Sequence, residues 1–262
     1  MSTLDNSLPL LRVRGVGKSY GDRVALHEAS FDLWPGEVMA VVGESGSGKT
    51  TLLNAIAARS RPDHGQVEFL GRDGHLQDVY AMSQAQQRLL ARTDWGFVHQ
   101  NAADGLRMDV SAGANVGARL MGLGERHYGR LRLSAEEWLQ RVEIDANRID
   151  DTPRTFSGGM RQRLQIARNL VTRPRLVFMD EPTSGLDVSV QARLLDLLRQ
   201  LTRQMQLAVV IVTHDLAVAR LLAHRMMVMQ QGRVVEAGLT DQVLDDPQHA
   251  YTQLLVSSVL QP

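Results

Sequence analysis

Residues 43–50 have the sequence GESGSGKT and match the spacing G-x-x-x-x-G-K-[ST]. Glycine keeps side chains away from converging backbone N–H groups and permits unusual φ angles, so such a loop can cradle phosphates. A helix that begins at the loop adds the positive end of its dipole. Lys49 can then reach the β- and γ-phosphates, and the Thr50 hydroxyl can bind Mg²⁺. A chance match in a glycine-rich loop is the alternative, but a predicted strand before the motif and a predicted helix after it favour phosphate binding.

Two carboxylates end an apolar run further along the chain, in LVFMDEP. A buried strand does not carry unpaired charge, but its exposed carboxyl end can. We predict that Asp180 holds Mg²⁺ and that Glu181 orients and polarises an attacking water in phosphoryl transfer. His214 ends the next apolar run, in IVTHD, where it can donate a hydrogen bond to the γ-phosphate. A solvated strand end and a structural histidine are the alternative interpretations.

A second glycine cluster, FSGGM at residues 156–160, has the same chemical character as the first. One phosphate group needs only one cradle, so this cluster needs a separate explanation. Its serine and glycines fit a helix N-cap, because RQRLQIARNL behind them has a helical pattern.

Short strand-type runs alternate along the chain with helix-type segments, and these elements must position the residues above. This alternation predicts an α/β fold with a mostly parallel sheet. Three runs are continuously apolar, as strands covered on both faces are: Val38 to Val42, Leu176 to Asp180 and Leu207 to His214. Open α/β sheets bind ligands at the carboxyl ends of their strands, where these motifs lie. Helices are predicted for KTTLLNAIAAR and for VSVQARLLDLLRQLTRQM, the latter with a core-facing stripe of Leu194, Leu197, Leu198 and Leu201.

Other stretches have a different pattern. The first forty residues and HGQVEFLGRDG predict antiparallel strands, and MVMQQGRVVEAG predicts a hairpin that turns at Gln231-Gly232. The pattern between about Asn101 and Arg154 is mostly helical. We therefore predict one domain over 1–262, with an antiparallel β subdomain, a helical subdomain at about 101–160 and a C-terminal extension at about 238–262.

The amino-acid composition argues against several classes of function. The 262 residues carry 29 basic and 29 acidic side chains, whereas a dedicated nucleic-acid binder has a basic excess, so we expect no nucleic-acid partner. The absence of cysteine excludes disulfides, thiolate metal sites and cysteine nucleophiles. The start, MSTLDNSLPL, lacks the features of a secretory signal, and no apolar run approaches the ~20 residues of a membrane span. We therefore expect a cytoplasmic location.

Six motifs occur in a fixed order: GESGSGKT, FVHQ, FSGGM, LVFMDEP, SGLD and VTHD. In this order the chain resembles the ATP-binding cassette (ABC) ATPases over almost its whole length. The resemblance implies ATP hydrolysis with Mg²⁺ and a P-loop (RecA-like) core of the ABC type. It also implies a homodimer that sandwiches two ATP molecules, in which the FSGGM loop of one subunit closes on the γ-phosphate held by the other.

The resemblance assigns further roles residue by residue. ATP contacts are implied for Gly43, Glu44, Ser45, Gly46, Ser47, Gly48, Lys49, Thr50 and Thr51. Contacts with the other subunit's nucleotide are implied for Ser157, Gly158, Gly159 and Asp187. Tyr20 would stack on adenine, with a partly buried strand aromatic as the alternative. Gln100 would reach both Mg²⁺ and the attacking water, so Thr50, Gln100 and Asp180 are the implied metal ligands and Glu181, Gln100 and His214 the implied catalytic residues.

The FSGGM motif departs from the family pattern at two positions. Phe156 stands where leucine is common, and Met160 stands where glutamine is usual. Because a thioether cannot donate the hydrogen bond that an amide can, we predict that one polar contact with the partner's nucleotide is missing. The serine and the backbone donors remain, so we expect hydrolysis to survive.

Several classes of ABC protein remain to be separated. The gap of 131 residues between Lys49 and Asp180 leaves no room for the coiled-coil arms of chromosome or DNA-repair ATPases. The tail DDPQHAYTQLLVSSV resembles those of ATPases from oligopeptide and nickel importers. FDLWPGEV, RTDWGFVHQ, RHYG and RNLVTRPRLVFMDEPTSGLDVSVQARLLDLL resemble the ATP-binding subunits of bacterial carbon–phosphorus (C–P) lyase systems.

The two resemblances imply different partners. The resemblance to C–P lyase subunits implies phosphonate breakdown, with C–P lyase core complex subunits as partners, and leaves open a second ABC subunit. The resemblance to importer ATPases implies an importer of oligopeptide, nickel or phosphonate type. Its partner would be an integral membrane permease, and the chain would lie peripherally at the inner membrane. A third hypothesis, a nucleotide-gated binding module with little turnover, is disfavoured by Glu181.

QQRLLART places Arg88 and Arg92 at i and i+4 on a predicted helix. Like charges at this spacing are mildly destabilising in an isolated helix. A solvated face and a docking site for acidic groups of a partner are both consistent with the pair.

Overall fold

The computed structural model describes residues 8–259. Residues 1–7 of the stretch considered for a secretory signal, and the last three residues of the C-terminal extension, lie outside the described residues. Within 8–259, none of the helices has both the length and the apolar composition that crossing a bilayer requires.

The described residues form ten strands and ten α-helices, with 3-10 helices at Ala146–Arg148 and Pro153–Thr155. The strands are β1 (Leu11–Tyr20), β2 (Arg23–Leu33), β3 (Val38–Val42), β4 (His64–Leu70), β5 (Leu76–Asp78), β6 (Trp95–Val98), β7 (Leu176–Asp180), β8 (Ala208–Thr213), β9 (Arg225–Gln230) and β10 (Arg233–Leu239). The helices are α1 (Lys49–Ile56), α2 (Gln84–Thr93), α3 (Ala102–Gly105), α4 (Ala112–Met121), α5 (Tyr128–Arg141), α6 (Gly158–Leu170), α7 (Val188–Met205), α8 (Leu216–Leu222), α9 (Thr240–Asp245) and α10 (Ala250–Val259).

These elements are divided between two compact units. The first unit contains the residues up to Gln87 and those from Ala208 onward, and the second unit contains Arg88–Leu207. The boundary falls inside α2.

The first unit contains an antiparallel sheet and a parallel group of strands. The antiparallel sheet has the order β2-β1-β4-β5, as the sequence predicts for this region. In the parallel group, β3 lies between β8 and β9 and runs parallel to both. All five residues of β3 and all six of β8 are buried, which explains their unbroken apolar sequence.

The predicted late hairpin is confirmed by β9 and β10, which pair antiparallel. Its two turn residues, Gln231 and Gly232, have φ values of 48° and 76°. Positive φ at both central positions is what a two-residue hairpin turn of type I′ needs, so the turn matches the twist of its strands.

The second unit combines two parallel strands with the helical region. Trp95 of β6 pairs with Leu176 of β7, and the Trp95 ring meets Phe178 edge-on at 5.2 Å between centroids. The mostly helical pattern predicted from about residue 101 is confirmed by α3, α4 and α5. Helix α7 has the predicted bounds, and the buried stripe is confirmed at Leu194, Leu197, Leu198 and Leu201.

Two predicted elements are longer than the observed ones. Helix α1 ends at Ile56 rather than Arg59, because Ala58 adopts a left-handed φ of 56° and reverses the chain. Strand β8 ends at Thr213, whose hydroxyl accepts a hydrogen bond from Asp215 N at 3.0 Å. His214 therefore lies in the turn before α8 rather than in the strand.

Candidate functional site

The phosphate loop, residues 43–50, connects β3 to α1 in the first unit. Its three glycines all have positive φ: 146° at Gly43, 80° at Gly46 and 101° at Gly48. A Cβ at Gly43 would lie 2.2 Å from Met229 O, and one at Gly48 would lie 2.6 Å from Ala25 O. Both ends of the loop therefore need glycine for conformation and for space, as a close-fitting backbone cradle requires.

The lysine of the loop is held by the loop's own backbone. Lys49 is 5% exposed, and its Nζ donates to Gly43 O and Glu44 O, each at 2.7 Å. The ammonium group therefore lies among the backbone groups that the motif arranges for an anion. An incoming phosphate would give it a stronger, charged acceptor than these carbonyls.

The start of α1 favours an anion. Its N-cap residue, Gly48, brings no side-chain acceptor to the first turn, whereas Ser111, Ser157 and Asp187 cap α4, α6 and α7. Thr50 is exposed in this first turn. Ser47 is buried, and within the described chain its Oγ has no hydrogen-bond partner. Uncapped helix starts next to glycine loops are the usual phosphate sites of α/β proteins.

Two more predicted residues lie in the first unit. Tyr20 ends β1 with 54% of its surface exposed, and Lys18 Nζ lies 5.7 Å from its ring centroid. This exposure leaves a ring face available for stacking. His214 is also exposed and lies directly before Asp215, which caps α8 by accepting from Ala217 N at 2.8 Å.

In the second unit, Asp180 is the last residue of β7 and Glu181 follows it, so the two carboxylates lie at the carboxyl end of this strand as predicted. Glu181 has a left-handed φ of 41°, a strained conformation that occurs preferentially at functional sites. Gln100 Nε2 donates to Glu181 Oε2 at 3.3 Å and lies 3.2 Å from Ser184 Oγ. The structure therefore brings together two of the predicted catalytic residues and adds Ser184, which sequence reasoning missed.

The second glycine cluster begins α6, as the helix N-cap interpretation predicts. Ser157 Oγ accepts from Met160 N at 3.3 Å. A Cβ at Gly159 would lie 2.4 Å from Val190 Cγ1 of α7, so the close approach of two helices requires this glycine. Gly158 meets no such obstacle, since its nearest neighbour would be Leu186 at 3.6 Å.

A cleft of about 340 Å³ in the second unit is bordered both by Gln100 and by the glycine cluster at the start of α6. Its lining includes Gln100, Ser184, Gly158 and Arg161. The residue predicted to reach the attacking water and the glycine cluster predicted to cap a phosphate therefore border one open space.

Three buried amides bind the strand before Gln100 to α6. Gln165 Oε1 accepts from His99 N at 2.6 Å, and Gln165 Nε2 donates to His99 O at 3.1 Å. Gln162 Nε2 donates to the same carbonyl at 3.1 Å, and Asn169 Oδ1 accepts from Phe97 N at 3.1 Å. These side chains serve as a substitute neighbouring strand, and they connect Gln100 to the helix that carries the glycine cluster.

Sequence reasoning missed this amide group, although a signal was present. Gln162, Gln165 and Asn169 recur at intervals of three and four along α6. That spacing places them on one face, and the same face holds the apolar residues of the helix. Polar residues inside a core-facing stripe indicate a specific hydrogen-bond partner.

The unusual Phe156 and Met160 share one neighbour, Arg148. Its guanidinium lies 4.5 Å from the Phe156 ring centroid, and Nη1 donates to Met160 Sδ at 3.4 Å. Arg148 Nε also donates to Asp151 Oδ2 at 2.7 Å. The departures from the family pattern are therefore part of a local packing arrangement. What Met160 does to a contact with nucleotide stays a prediction.

Asp187 caps α7 of its own chain. Its carboxylate accepts from Val190 N at 2.9 Å and Ser189 Oγ at 2.8 Å, and these hydrogen bonds hold the pKa of Asp187 below its ordinary value. The carboxylate is charged and exposed at neutral pH, as a contact with a second subunit would need. That contact itself stays a prediction.

Arg88 and Arg92 lie exposed on α2, which confirms the predicted helix. Arg119 lies partly buried nearby and donates to Trp95 O at 2.8 Å. Burial, together with the charges of Arg168 and Arg92, lowers the pKa of Arg119 to about 10. This part of the second unit is therefore rich in positive charge.

Comparison with known proteins agrees with this geometry. Residues 26–184 match the family model described as ABC transporter. The chain is 65% identical to PhnK of Escherichia coli (strain K12), an ATP-binding protein named for phosphonates utilization, over 97% of this chain and 98% of that protein. It is 37% identical to a Brucella ovis ATP-binding protein named for peptide import, over 97% of this chain and 80% of that protein.

Solved structures confirm the predicted α/β fold class. The cbiO1 structure from Clostridium perfringens, part of the ABC transporter complex cbiONQ, matches with a TM-score of 0.79 at 26% identity, covering 91% of each chain. The ATP-binding cassette MJ0796, a dimer bound to ADP and Pi, matches with a TM-score of 0.78 at 29% identity, covering 88% of this chain and 98% of that one. With its motifs, fold and relatives in agreement, the chain belongs to the ABC transporter family, as one of its ATP-binding, ATP-hydrolysing cassettes.

Proposed function

We propose that this cassette is the ATP-hydrolysing subunit of a C–P lyase complex and acts as a cytoplasmic homodimer in phosphonate catabolism. The 65% identity along nearly the whole chain with a protein named for phosphonates utilization carries this proposal. We also propose that 1–262 form a single ABC domain with the helical subdomain at about 101–160 and a C-terminal extension at about 238–262.

An importer ATPase is the second candidate. It is supported by the 37% identity with a protein named for peptide import. In that case the partner would be an integral membrane permease, and the cassette would lie at the inner face of the membrane. The lower identity makes this the weaker candidate.

In the first unit, the phosphate loop would bind the triphosphate through its backbone N–H groups. Lys49 would exchange its two carbonyl acceptors for phosphate oxygens, and the exposed ring of Tyr20 would stack on adenine. His214, exposed after β8, would donate a hydrogen bond to the γ-phosphate.

In the second unit, Glu181 would act on the attacking water, held in place by its hydrogen bond from Gln100. This carboxylate would orient the water and accept its proton as the bond to phosphorus forms. When bound, Mg²⁺ would neutralise charge on the phosphate oxygens.

The residues proposed to hold that ion suit it chemically. Thr50, Gln100 and Asp180 offer a hydroxyl, an amide and a carboxylate, all oxygen donors of the kind that Mg²⁺ prefers. In the described chain, no group of three or more His, Asp or Glu side chains forms a separate metal cage. A magnesium ion is commonly shared between few protein ligands and the substrate phosphates.

The homodimer would let Ser157, Gly158, Gly159 and Asp187 serve the nucleotide of the other subunit. The dimeric state of the MJ0796 cassette supports this arrangement. The start of α6 would direct its dipole at the partner's phosphate, since α6 begins at this glycine cluster.

Glu181→Gln tests the hydrolytic part of the proposal. The amide cannot accept the proton of the attacking water, so we expect ATP turnover to fall by at least about a hundredfold while ATP still drives dimer formation. Turnover is measured by phosphate release and dimers by size-exclusion chromatography with and without ATP. Turnover at the wild-type rate would contradict the role of Glu181.

The Glu181→Gln variant also serves as bait for partners. It is affinity-tagged and expressed in its host, where it should keep ATP bound because it does not hydrolyse it. Capture of lyase subunits without detergent supports the lyase assignment, and capture of a permease only in detergent supports the importer. A matched bait with Arg88→Glu and Arg92→Glu tests our proposal that these exposed arginines dock acidic groups of the lyase core. Equal capture by both baits would contradict that docking role.

A further inference from the structure

One hydrogen bond links the C-terminal helix to the phosphate loop. Tyr251, in the first turn of α10, accepts at its hydroxyl from Glu44 N at 3.0 Å, across 207 positions of sequence. The tyrosine is 8% exposed, so water does not readily replace this bond. The motifs predict Glu44 as an ATP contact, but they do not predict Tyr251 as its partner.

The backbone of Glu44 is hydrogen-bonded at both its N–H and its C=O. Its N–H is bonded to Tyr251, while its C=O accepts from Lys49 Nζ at 2.7 Å and from Ser47 N at 3.2 Å. Nucleotide binding would draw Lys49 away from this carbonyl. The bond to Tyr251 does not involve Lys49, so it can persist in both states of the loop.

Tyr251 is itself held in place by β10. The Glu236 carboxylate accepts from Gln248 N at 2.9 Å and from His249 N at 3.0 Å. His249 Nδ1 in turn accepts from Tyr251 N at 3.1 Å. These bonds fix the start of α10 against a strand of the same unit, so the hydroxyl is presented to the loop from a rigid support.

The other supports of the loop come from the β9–β10 hairpin and from β2. Gly232 N donates to Ser47 O at 2.9 Å, and Gly43 and Gly48 lie against backbone oxygens of Met229 and Ala25. Glu44, Ser45 and Gly46 are exposed. Tyr251 therefore supplies a side-chain anchor at the point where the loop leaves its buried first glycine.

We propose that Tyr251 is a positioning residue for ATP binding: its hydroxyl fixes the 43–44 peptide so that the loop keeps its phosphate-binding conformation when Lys49 changes partners. This inference rests on the proposed binding of ATP by the loop. It gives the C-terminal helix a role in the nucleotide site of its own chain.

Tyr251→Phe removes the hydroxyl and keeps the ring. We expect the dissociation constant for ATP and the KM to rise about tenfold, the usual effect of one lost hydrogen bond near 1.4 kcal/mol, while kcat changes less than twofold. Amide hydrogen exchange of the loop peptide should be faster in the nucleotide-free variant. Binding is measured by calorimetry with ATP.

Tyr80→Phe is the matched control. Tyr80 is another part-buried tyrosine of the same unit, and its hydroxyl lies 2.6 Å from Ala55 O and 2.8 Å from Ser60 O. We expect this control to lower the unfolding temperature but to leave the ATP dissociation constant unchanged. A general loss of stability would therefore affect both variants, and a positioning role only one.

The outcomes separate the two proposals. If wild-type protein binds no ATP, the proposed function fails; if it binds ATP and Tyr251→Phe binds equally well, only the role of Tyr251 fails. Equal weakening by the control would also overturn that role. Should Tyr251→Phe not fold, Glu236→Gln, which weakens the support of α10, should give a smaller loss of affinity in the same direction, and no loss would contradict the proposal.

Discussion

The phosphate loop of the first unit and the Gln100 region of the second hold their functional residues by different means. The loop is one contiguous stretch whose shape depends on glycines pressed against backbone oxygens. The Gln100 region, which consists of residues 97–100, Glu181, Ser184 and α6, is assembled from separate segments, and buried amide side chains join residues 97–99 to α6. Local backbone geometry thus determines the first region, and long-range side-chain pairing determines the second.

Gly48→Ala should have the largest effect, because it attacks the loop's backbone directly. The alanine would have to keep a φ of 101° with its Cβ 2.6 Å from Ala25 O. Left-handed strain and overpacking together should lower the free energy of unfolding by about 3 kcal/mol and abolish ATP binding. Urea unfolding followed by circular dichroism and an ATP titration measure the two effects.

Gly46→Ala is the comparison for that variant. Gly46 also has a positive φ, 80°, but a Cβ there would meet open space. Only the conformational cost of about 1–2 kcal/mol remains. If both variants lost the same stability, the contact with Ala25 would not shape the loop, and close backbone packing would not determine the first region.

Gln165→Leu tests the second region. Gln165 is 0% exposed, and leucine would deprive His99 N of its acceptor at 2.6 Å. Burying a polar backbone group without its partner costs about 1–3 kcal/mol, so we expect the free energy of unfolding to fall by about 2 kcal/mol. ATP turnover should fall more than ATP affinity, because Gln100, which follows His99, is bonded to Glu181.

Gln140→Leu is the control for the amide group, since Gln140 is an exposed residue of α5. We expect a change within about 0.5 kcal/mol for this surface substitution. If Gln165→Leu behaved like the control, the amides would not hold the Gln100 region together, and the contrast between the two regions would disappear.

The same contrast explains how much of the molecule the sequence could predict. The phosphate loop, β3, β7 and α7 could be predicted because each is one contiguous pattern with a local physical cause. The bond between Gln165 and His99 joins residues 66 positions apart, and that between Tyr251 and Glu44 joins residues 207 positions apart. Periodicity marks Gln165 as a polar residue on the core-facing side of α6 but does not name its partner, and Ser184 and Tyr251 could be found only in the fold.

The ends of elements show a related limit. The apolar run into His214 continues the strand pattern, yet the hydroxyl of Thr213 bonds Asp215 N and starts the cap of α8. The propensity of His214 itself does not decide the outcome. A competing side-chain-to-backbone bond ends the strand one residue earlier.

Arg148→Lys should have the smallest effect and tests whether the FSGGM segment behaves like the first region or the second. Lysine keeps the charge but loses the flat group that lies over Phe156 at 4.5 Å and meets Met160 Sδ at 3.4 Å. With Arg148 partly exposed, we expect a loss of about 0.5–1 kcal/mol in the free energy of unfolding and a two- to threefold lower turnover, on the order expected for one cation–π contact. Arg130→Lys, at an exposed pair with Glu125, is the control and should change neither quantity. If turnover were unchanged in Arg148→Lys, the backbone of the glycine cluster would hold its own shape as the phosphate loop does, and side-chain pairing would be confined to the surroundings of Gln100.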